Sequence, residues 1–475
     1  MILALECSTT SAKALLFDPQ SSEIVRVKSE AYPHRVSAFG GTLGTQDTPA
    51  VVALIARLGK EVASETENIE AIALGGTFHS ILVCNGAMEP LTPTFTWMYN
   101  GAAELTSRLR KNERYTSCYY HRTGCMVHAL YPAFQLMKLR DEGFNFAGTR
   151  IASESGFLFY TLTGARLETA CTNSGGGLIN LQEKNWDRET LADIGLTSDN
   201  VAELADYHTA RPLSEQGAAL LGLKSGVPVL PSYPDGALNQ VGSGALGSGI
   251  MTFSMGTSGA LRLSVDAPLV PLHPSTWCYL SPAAWMSGAA VSGACNCVDW
   301  IKSILFPARS FDDIEKSKEV DYRNMPYFMP FLFGERCPGW DDSKKGGFYD
   351  LRSSHTPFDM YYSVLEGILF NLYQCYELLC RAAQKPLLIK LSGGILNSPR
   401  WKQICADIFN GEMSCEKIPH ASLLGGVVLA LEYTGYLDSI KHYAVKSGET
   451  IRPSEKGPHL FAERYQNYLS CYNKL

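Results

Sequence analysis

Short apolar runs along the chain alternate with longer segments of helical periodicity. Near the start, ILAL (residues 2–5) and ALLF (14–17) are separated by a stretch that includes the small and polar residues CSTTS (7–11). Apolar runs this short, bounded by turn residues, are typical of buried β-strands. The pair therefore predicts a hairpin with a Ser/Thr-rich tip.

The same layout recurs in the second half of the chain. Segment 250–266 (IMTFSMGTSGALRLSVD) aligns with segment 2–18 without a gap, so that Thr257 matches Thr9. A hairpin repeated once across a chain, with a Ser/Thr-rich tip each time, indicates two related domains that each present one phosphate-binding loop. The alternative is a chance similarity between two ordinary tight turns, in which Ser and Thr are common.

Helical apolar spacing marks three longer segments, residues 48–64, 131–143 and 357–384. Segment 386–413 has the pattern of a strand, a glycine-rich turn and a helix. In α/β proteins this order is found where nucleotides bind. The alternation of strand and helix patterns predicts an α/β fold.

Length and charge narrow the class of protein. A chain of 475 residues is too long for one hydrophobic core, and we expect two domains, residues 1–243 and 244–475. The net charge is only −6 and no basic run exceeds two residues. Nucleic acid and anionic membrane surfaces are therefore disfavoured as partners, and a small-molecule ligand is expected.

Targeting and cysteine patterns predict a cytoplasmic protein. The N-terminus lacks the basic and apolar regions of a signal peptide, and no apolar run approaches the roughly 18 residues of a membrane span. The fourteen cysteines form no CxxC pair and no repeated spacing, which argues against a zinc site or a disulfide framework. Scattered cysteines of this kind are typical of reduced, mostly buried thiols.

Asp235 is the candidate general base. It follows Pro234 at the start of an amphipathic segment, so we expect it at or near a helix N-cap. A capping role alone would contribute about 1 kcal/mol. The alternative is a general base that the positive end of the helix holds ionised and aims between the two domains. Its position directly before the domain junction favours the general base.

A glycine pattern in the same stretch suggests a dinucleotide site only weakly. Gly242, Gly244 and Gly247 satisfy GxGxxG, but a helix-like segment precedes them and a strand-like run follows. The dinucleotide fingerprint requires the opposite order. An NAD-dependent oxidoreductase is therefore the least supported class of enzyme.

Three further residues are candidates for a site. Glu6 ends a predicted buried strand, where either an ion pair with Lys13 or a hydrated Mg²⁺ on nucleotide phosphates would compensate its charge. His79 and Trp97 have the chemistry to line a sugar pocket through hydrogen bonding and stacking. For His79 or Trp97 taken alone, an ordinary core or surface position is the better-supported interpretation.

Taken together, several segments resemble the FGGY carbohydrate kinases, with gluconokinases and then xylulokinases the most similar. The resemblance covers nearly the whole chain. It rests on STTSAKALLFD (8–18), FHS (78–80), TGCMVHALYPAFQLMKL (123–139), PDGALNQVGSGAL (234–246), FSMGTSGALRL (253–263), PFLFGERCPGWD (330–341), HTPFDMYYSVLEGILFNLY (355–373) and LSGGILNSPRWKQICADIF (391–409).

The resemblance implies two actin-like, ribonuclease-H-like ATPase domains with a central cleft between them. It also implies ATP-dependent phosphorylation of a sugar or sugar-acid hydroxyl, with gluconate as the leading substrate and 6-phosphogluconate as the product. The alternatives are a kinase for xylulose, ribulose or another polyol, and a catalytically silent relative that binds a sugar or a nucleotide. Homodimers are common in the family, so the resemblance leaves a homodimer open, although the sequence contains no signal of an interface.

The resemblance further implies the roles of individual residues. Asp235 would accept the proton of the attacking hydroxyl, and Glu6 and Asp235 would support Mg²⁺ through water. The substrate-binding residues would be Phe78, His79, Trp97, Asp235 and Asn239. The ATP-binding residues would be Ser8, Thr9, Thr10, Ser11, Lys13, Gly256, Thr257, Ser258, Gly393, Gly394 and Asn397.

The chain departs from the family pattern near both predicted ligands. Family members usually have Asp-x-Gly before the Thr-Thr pair, where this chain has Glu6 and Ser8. Glu places its carboxylate about one methylene further out, and Ser restricts a backbone that Gly leaves free. Many relatives carry W-x-D-x-R, where this chain has WMYNG at 97–101. The first departure motivates the alternative of a silent relative, and the second bears on the substrate.

Overall fold

The computed structural model describes residues 1–64, 66, 68–316, 320–415, 417–445 and 448–475. The first half of the chain contains β1 (Ile2–Cys7), β2 (Ser11–Asp18), β3 (Glu23–Ala31), α1 (His34–Ser37), β4 (Thr45–Gln46), α2 (Thr48–Ala63), β5 (Ala71–Gly76), β6 (Leu82–Cys84), β7 (Thr94–Phe95), α3 (Ala103–Arg110), α4 (Glu113–Thr123), α5 (Pro132–Asp141), β8 (Arg150–Ala152), α6 (Glu154–Thr163), β9 (Leu167–Thr169), α7 (Ala170–Ser174), β10 (Ile179–Asn180), β11 (Asn185–Trp186), α8 (Arg188–Ile194), β12 (Glu203–Ala205), β13 (Arg211–Pro212), α9 (Glu215–Leu221), β14 (Pro228–Val229), β15 (Tyr233–Pro234) and α10 (Asp235–Gly242).

The second half contains β16 (Ile250–Met255), β17 (Gly259–Val265), β18 (Trp277–Leu280), β19 (Trp285–Val291), α11 (Cys295–Leu305), α12 (Phe311–Lys316), β20 (Tyr327–Met329), β21 (Gly347–Tyr349), α13 (Pro357–Ala382), β22 (Leu388–Gly393), α14 (Pro399–Phe409), β23 (Met413–Cys415), α15 (Ala421–Tyr433), β24 (Glu449–Ile451) and α16 (Gly457–Tyr472). The predicted helices over 48–64, 131–143 and 357–384 correspond to α2, α5 and α13, and segment 386–413 forms β22 and α14.

The chain folds into two α/β halves, each built on a mixed seven-stranded sheet. The first sheet has the order β13-β14-β5-β1-β2-β3, with β15 also paired to β5. The second has the order β18-β19-β17-β16-β22-β23-β24. The predicted α/β class is therefore confirmed. The exact boundary between residues 243 and 244 stays a prediction, and it falls between α10 and β16.

The two predicted hairpins form, and each lies at the centre of its sheet. In the first half, β1 is antiparallel to β2 and parallel to β5. In the second half, β16 is antiparallel to β17 and parallel to β22. This shared pattern is the structural counterpart of the sequence repeat. The registers differ by one residue, because Cys7 pairs with Ala12 whereas Met255 pairs with Gly259.

Glycines bring α10 of the first half into close contact with α15 of the second half. A Cβ atom at Gly425 would overlap the carbonyl oxygen of Leu238, and one at Gly242 would overlap the carbonyl oxygen of Ala421. The two helix backbones therefore meet without an intervening side chain. This contact holds α10, which begins at Asp235, against the second half of the chain.

Polar contacts between the halves also occur along the segment that joins α4 to α5. The hydroxyls of Tyr131 and Tyr279 lie 2.9 Å apart, and Nε2 of His128 lies 3.0 Å from Oδ1 of Asp342. Each of the fourteen cysteines is a free thiol. Throughout the described ranges, no helix is both long enough and apolar enough to cross a membrane.

Candidate active site

Two adjoining cavities lie between the halves of the molecule. The large cavity has a volume of about 1040 Å³ and the small cavity about 250 Å³. Four residues line both of them: Thr9, Trp97, Ser258 and Arg336. A ligand in one cavity therefore meets a ligand in the other at these four side chains.

Asp235 lines the small cavity from the first turn of α10. Pro234 is the N-cap, so the prediction of a helix start at this point is confirmed. Oδ1 of Asp235 accepts hydrogen bonds from the amides of Gly236 (2.7 Å) and Phe78 (3.5 Å). Burial, followed by the negative charge of Glu6, raises the pKa of Asp235, while the Arg262 guanidinium acts in the opposite direction.

Two arginines that the sequence interpretation missed line the small cavity beside Asp235. Nη1 of Arg262, on β17, donates a 3.1 Å hydrogen bond to Oγ of Ser254. The Nε atom of Arg336 is buried and has no hydrogen-bond partner in the described part of the chain. The available sequence signals were two: Arg262 is the one charged residue in the segment GALRLSV (259–265), and Arg336 lies in the segment PFLFGERCPGWD (330–341), which carries part of the family resemblance.

His79 faces the small cavity as a neutral imidazole. Its backbone is left-handed (φ 63°), and Nδ1 contacts the carbonyl oxygen of Gly175 at hydrogen-bond distance. A carbonyl oxygen only accepts, so Nδ1 carries the proton and Nε2 is left as an acceptor. Burial, with the nearby Arg336, lowers the pKa of His79 from 6.5 to about 3.

Four of the five predicted substrate-binding residues line the small cavity: Phe78, His79, Trp97 and Asp235. The indole Nε1 of Trp97 donates a 2.9 Å hydrogen bond to Oγ1 of Thr9 in the first loop. The fifth, Asn239, lies one helical turn beyond Asp235 on α10 and lines the large cavity. Asn239 therefore lies outside the small cavity, which is the predicted sugar pocket.

Most of the predicted ATP-binding residues line the large cavity. These are Thr9, Thr10, Lys13, Gly256, Thr257, Ser258 and Gly393. Ser8 and Ser11 instead bond to each other within the first loop, with 3.0 Å between their Oγ atoms. Gly394 and Asn397 line a third cavity of about 470 Å³, next to Cys295 and Trp401.

Glu6 is buried at the end of β1 and forms an ion pair with Lys13, at 2.6 Å from Oε1 to Nζ. Its second oxygen, Oε2, is buried and has no hydrogen-bond partner among the described residues. Those residues contain no group of three or more His, Cys, Asp or Glu side chains that could hold a metal ion. Mg²⁺ on a nucleotide needs only one or two carboxylates plus water and phosphate oxygens, so the unpartnered Oε2 fits this kind of site.

Comparisons with known proteins cover both halves of the chain. The N-terminal domain model of the FGGY family of carbohydrate kinases matches residues 1–242, and the C-terminal domain model matches residues 251–432. The gluconokinase of Bacillus subtilis (strain 168) is 27% identical over 470 residues, which cover 95% of this chain and 91% of that protein.

Two solved structures from Lactobacillus acidophilus superpose on the full length. The ligand-bound xylulose kinase has a TM-score of 0.94 and 25% sequence identity. The gluconate kinase has a TM-score of 0.93 and 26% identity. Each comparison covers 100% of this chain and 98% of the other.

Proposed function

Because this chain belongs to the FGGY family of carbohydrate kinases and is thus a phosphotransferase with a sugar acceptor, we propose that it phosphorylates gluconate with ATP. The product is 6-phosphogluconate. The observation that carries the proposal is the position of Asp235, at a helix N-terminus in a small cavity that opens into the large cavity beside both Ser/Thr loops. The likeness to a gluconokinase over almost the whole chain supports gluconate as the substrate.

Asp235 acts as the general base. Two amides hold its Oδ1, while Oδ2 makes no hydrogen bond within the described structure and is the oxygen available to a substrate hydroxyl. The ionised carboxylate accepts the hydroxyl proton as the substrate oxygen attacks the γ-phosphorus of ATP. The raised pKa of Asp235 makes its carboxylate a stronger base than that of an ordinary aspartate.

The large cavity binds the nucleotide. Thr9, Thr10 and residues 256–258 contact the phosphates through their amides and hydroxyls, with Lys13 beside the first loop and Ser8 and Ser11 bracing it. Arg336 lines both cavities, so its guanidinium faces the phosphoryl group during transfer and stabilises the charge that develops there. Gly393 borders the nucleotide, and Gly394 and Asn397 extend the site toward the adenosine.

Glu6 and Asp235 would hold Mg²⁺ through water. The ion neutralises phosphate charge when it is bound. Within this chain, Oε2 of Glu6 supplies the unpartnered acceptor, and Lys13 keeps Oε1 in place.

The small cavity binds the sugar chain. Nε2 of His79 accepts a hydrogen bond from a substrate hydroxyl, and Trp97 and Phe78 provide apolar faces for the carbon chain. Asn239 contacts the substrate only where the sugar site meets the large cavity. A kinase for xylulose is the second candidate, and the superposition with a ligand-bound xylulose kinase favours it.

The test is ADP formation with ATP and Mg²⁺ across gluconate, other sugar acids, xylulose, ribulose and glycerol. We expect gluconate to give the highest kcat/KM. Asp235→Asn should lower kcat about 10²- to 10⁴-fold, because it removes the base without changing the shape of the side chain. Asp199→Asn, at an exposed site, is the matched control and should leave kcat unchanged.

Two outcomes would overturn the proposal. A higher kcat/KM for xylulose than for gluconate would assign the ketose as substrate. Nucleotide binding without ADP formation from any member of the panel would support the silent relative.

A further inference from the structure

We propose that Arg262 binds the carboxylate of the substrate and so selects a sugar acid over a neutral sugar of the same chain length. This inference rests on the proposed kinase function and names the residue that sets its substrate class. It is carried by the position, the charge and the unused hydrogen-bonding capacity of the Arg262 guanidinium.

Arg262 lines only the small cavity, which we propose binds the sugar. It lies on β17, where it is paired with Thr252 of β16 and Gly288 of β19. It lines the small cavity and is absent from the lining of the large one, whereas Arg336 lines both. Of the two guanidinium groups, Arg336 is therefore the one that meets the nucleotide, and Arg262 meets the substrate alone.

The charged side chains around the small cavity do not balance. Its lining contains two guanidinium groups, those of Arg262 and Arg336, and one carboxylate, that of Asp235. His79 is neutral at physiological pH. Before a nucleotide binds, the lining of the small cavity therefore carries a net positive charge, which favours an anionic ligand there.

Both guanidinium groups also have unused donors. Arginine has five N–H donors. Arg262 spends one of them on Ser254, and Arg336 makes no hydrogen bond within the described ranges. Neither arginine forms an ion pair with Asp235 or any other described carboxylate within 4.0 Å. A partly buried guanidinium without a nearby anion costs free energy, and a ligand that supplies the anion removes that cost.

A carboxylate suits this group better than a hydroxyl does. The planar guanidinium binds a carboxylate through two parallel hydrogen bonds, which are charge-assisted and about twice as strong as neutral ones. A hydroxyl in the same place would leave the positive charge uncompensated. The cavity should therefore discriminate between two ligands that differ only at one terminal carbon.

Gluconate and D-glucitol are such a pair, since they share a six-carbon chain and differ by a carboxylate against a hydroxymethyl group. The experiment measures the dissociation constant of each by titration calorimetry, together with kcat/KM for gluconate, in the wild type and in Arg262→Leu. We expect Arg262→Leu to raise the dissociation constant of gluconate about a hundredfold and that of glucitol less than threefold. Arg262→Lys should retain part of the preference, because it keeps the charge and loses the planar fork.

Two further variants keep the test interpretable. Ser254→Ala removes the 3.1 Å hydrogen bond that holds Nη1 of Arg262, so the guanidinium is less well positioned and the preference for gluconate should fall by a smaller factor than in Arg262→Leu. It serves as the second variant should Arg262→Leu fail to fold. Arg381→Leu, an exposed change on α13, is the matched control and should not alter either dissociation constant.

The outcomes separate this inference from the proposed function. If Arg262→Leu weakens the binding of gluconate and glucitol equally, the inference is wrong, because Arg262 would then act only by positioning Asp235. Gluconate phosphorylation by the wild type would be unaffected by this outcome. If the wild type prefers another sugar acid and Arg262→Leu removes that preference, the inference stands and gluconate is the wrong substrate. A wild type that binds glucitol as tightly as gluconate overturns the inference.

Discussion

The ammonium group of Lys13 lies 2.6 Å from Oε1 of Glu6, whose other carboxylate oxygen is buried without a hydrogen-bond partner in the described structure. The two residues face each other across the first hairpin, because β1 and β2 pair Glu6 directly with Lys13. Glu6 thus has one oxygen held by the protein and one oxygen left for a ligand. The ion pair and the proposed metal role are therefore compatible.

We predict that Glu6→Gln raises the Mg²⁺ concentration for half-maximal activity about tenfold. The amide keeps the size of the side chain but removes the charge that supports the ion through water, and such outer contacts typically change metal affinity 10- to 100-fold. The measurement is ADP formation as a function of Mg²⁺ at saturating ATP. Glu463→Gln, which is exposed on α16, is the control. If Glu6→Gln leaves the Mg²⁺ requirement unchanged, Glu6 serves only as the counter-ion of Lys13.

The acid limb of the pH–rate profile should report the titration of Asp235. Burial and Glu6 raise its pKa above the ordinary 3.8, and only the ionised form accepts a proton. Activity should therefore fall as the pH drops through this raised pKa. Removing the negative charge of Glu6 should move the limb to lower pH, and Arg262→Leu should move it to higher pH. Shifts of both variants in the same direction would contradict this electrostatic assignment.

His79 should affect substrate binding without contributing a titration step. Its pKa of about 3 keeps the ring neutral across the working range, so Nε2 remains an acceptor. We predict that His79→Asn raises KM for the sugar about tenfold, roughly the free energy of one hydrogen bond. Asn tolerates the left-handed backbone at this position, which limits strain as a cause. An altered pH limb in His79→Asn would show that the histidine titrates after all.

The contact between α10 and α15 should be sensitive to a single methyl group. Gly425→Ala would push a Cβ into the carbonyl oxygen of Leu238, and we expect a loss of about 1–3 kcal/mol in the free energy of unfolding. Since α10 carries Asp235, kcat should fall as well. Denaturant melts and steady-state kinetics measure both effects.

Gly411→Ala is the control for this substitution, because its Cβ would meet its nearest neighbour, the carbonyl oxygen of Phe409, at 3.7 Å. It should cost far less stability than Gly425→Ala. If the two variants have the same free energy of unfolding, α10 and α15 can move apart with no loss of stability. The glycine contact would then not determine the position of Asp235.

Local sequence determined the elements that depend on short-range patterns. Both hairpins, the helices α2, α5 and α13, and the helix start at Asp235 follow from apolar spacing and turn residues, which are properties of neighbouring positions. The repeat of segment 2–18 in segment 250–266 likewise indicated two related halves.

Tertiary structure alone decided which distant residues meet. Arg262 and Arg336 join Asp235 in one cavity because β17 and the loop after β20 converge on the start of α10, and no periodicity records that convergence. The placement of Asn239 in the large cavity depends on how α10 is turned against α15. The sequence therefore determined both hairpins, the long helices and the position of Asp235 at a helix start. The charge of the small cavity arose only from long-range packing, which brings together side chains that are far apart along the chain.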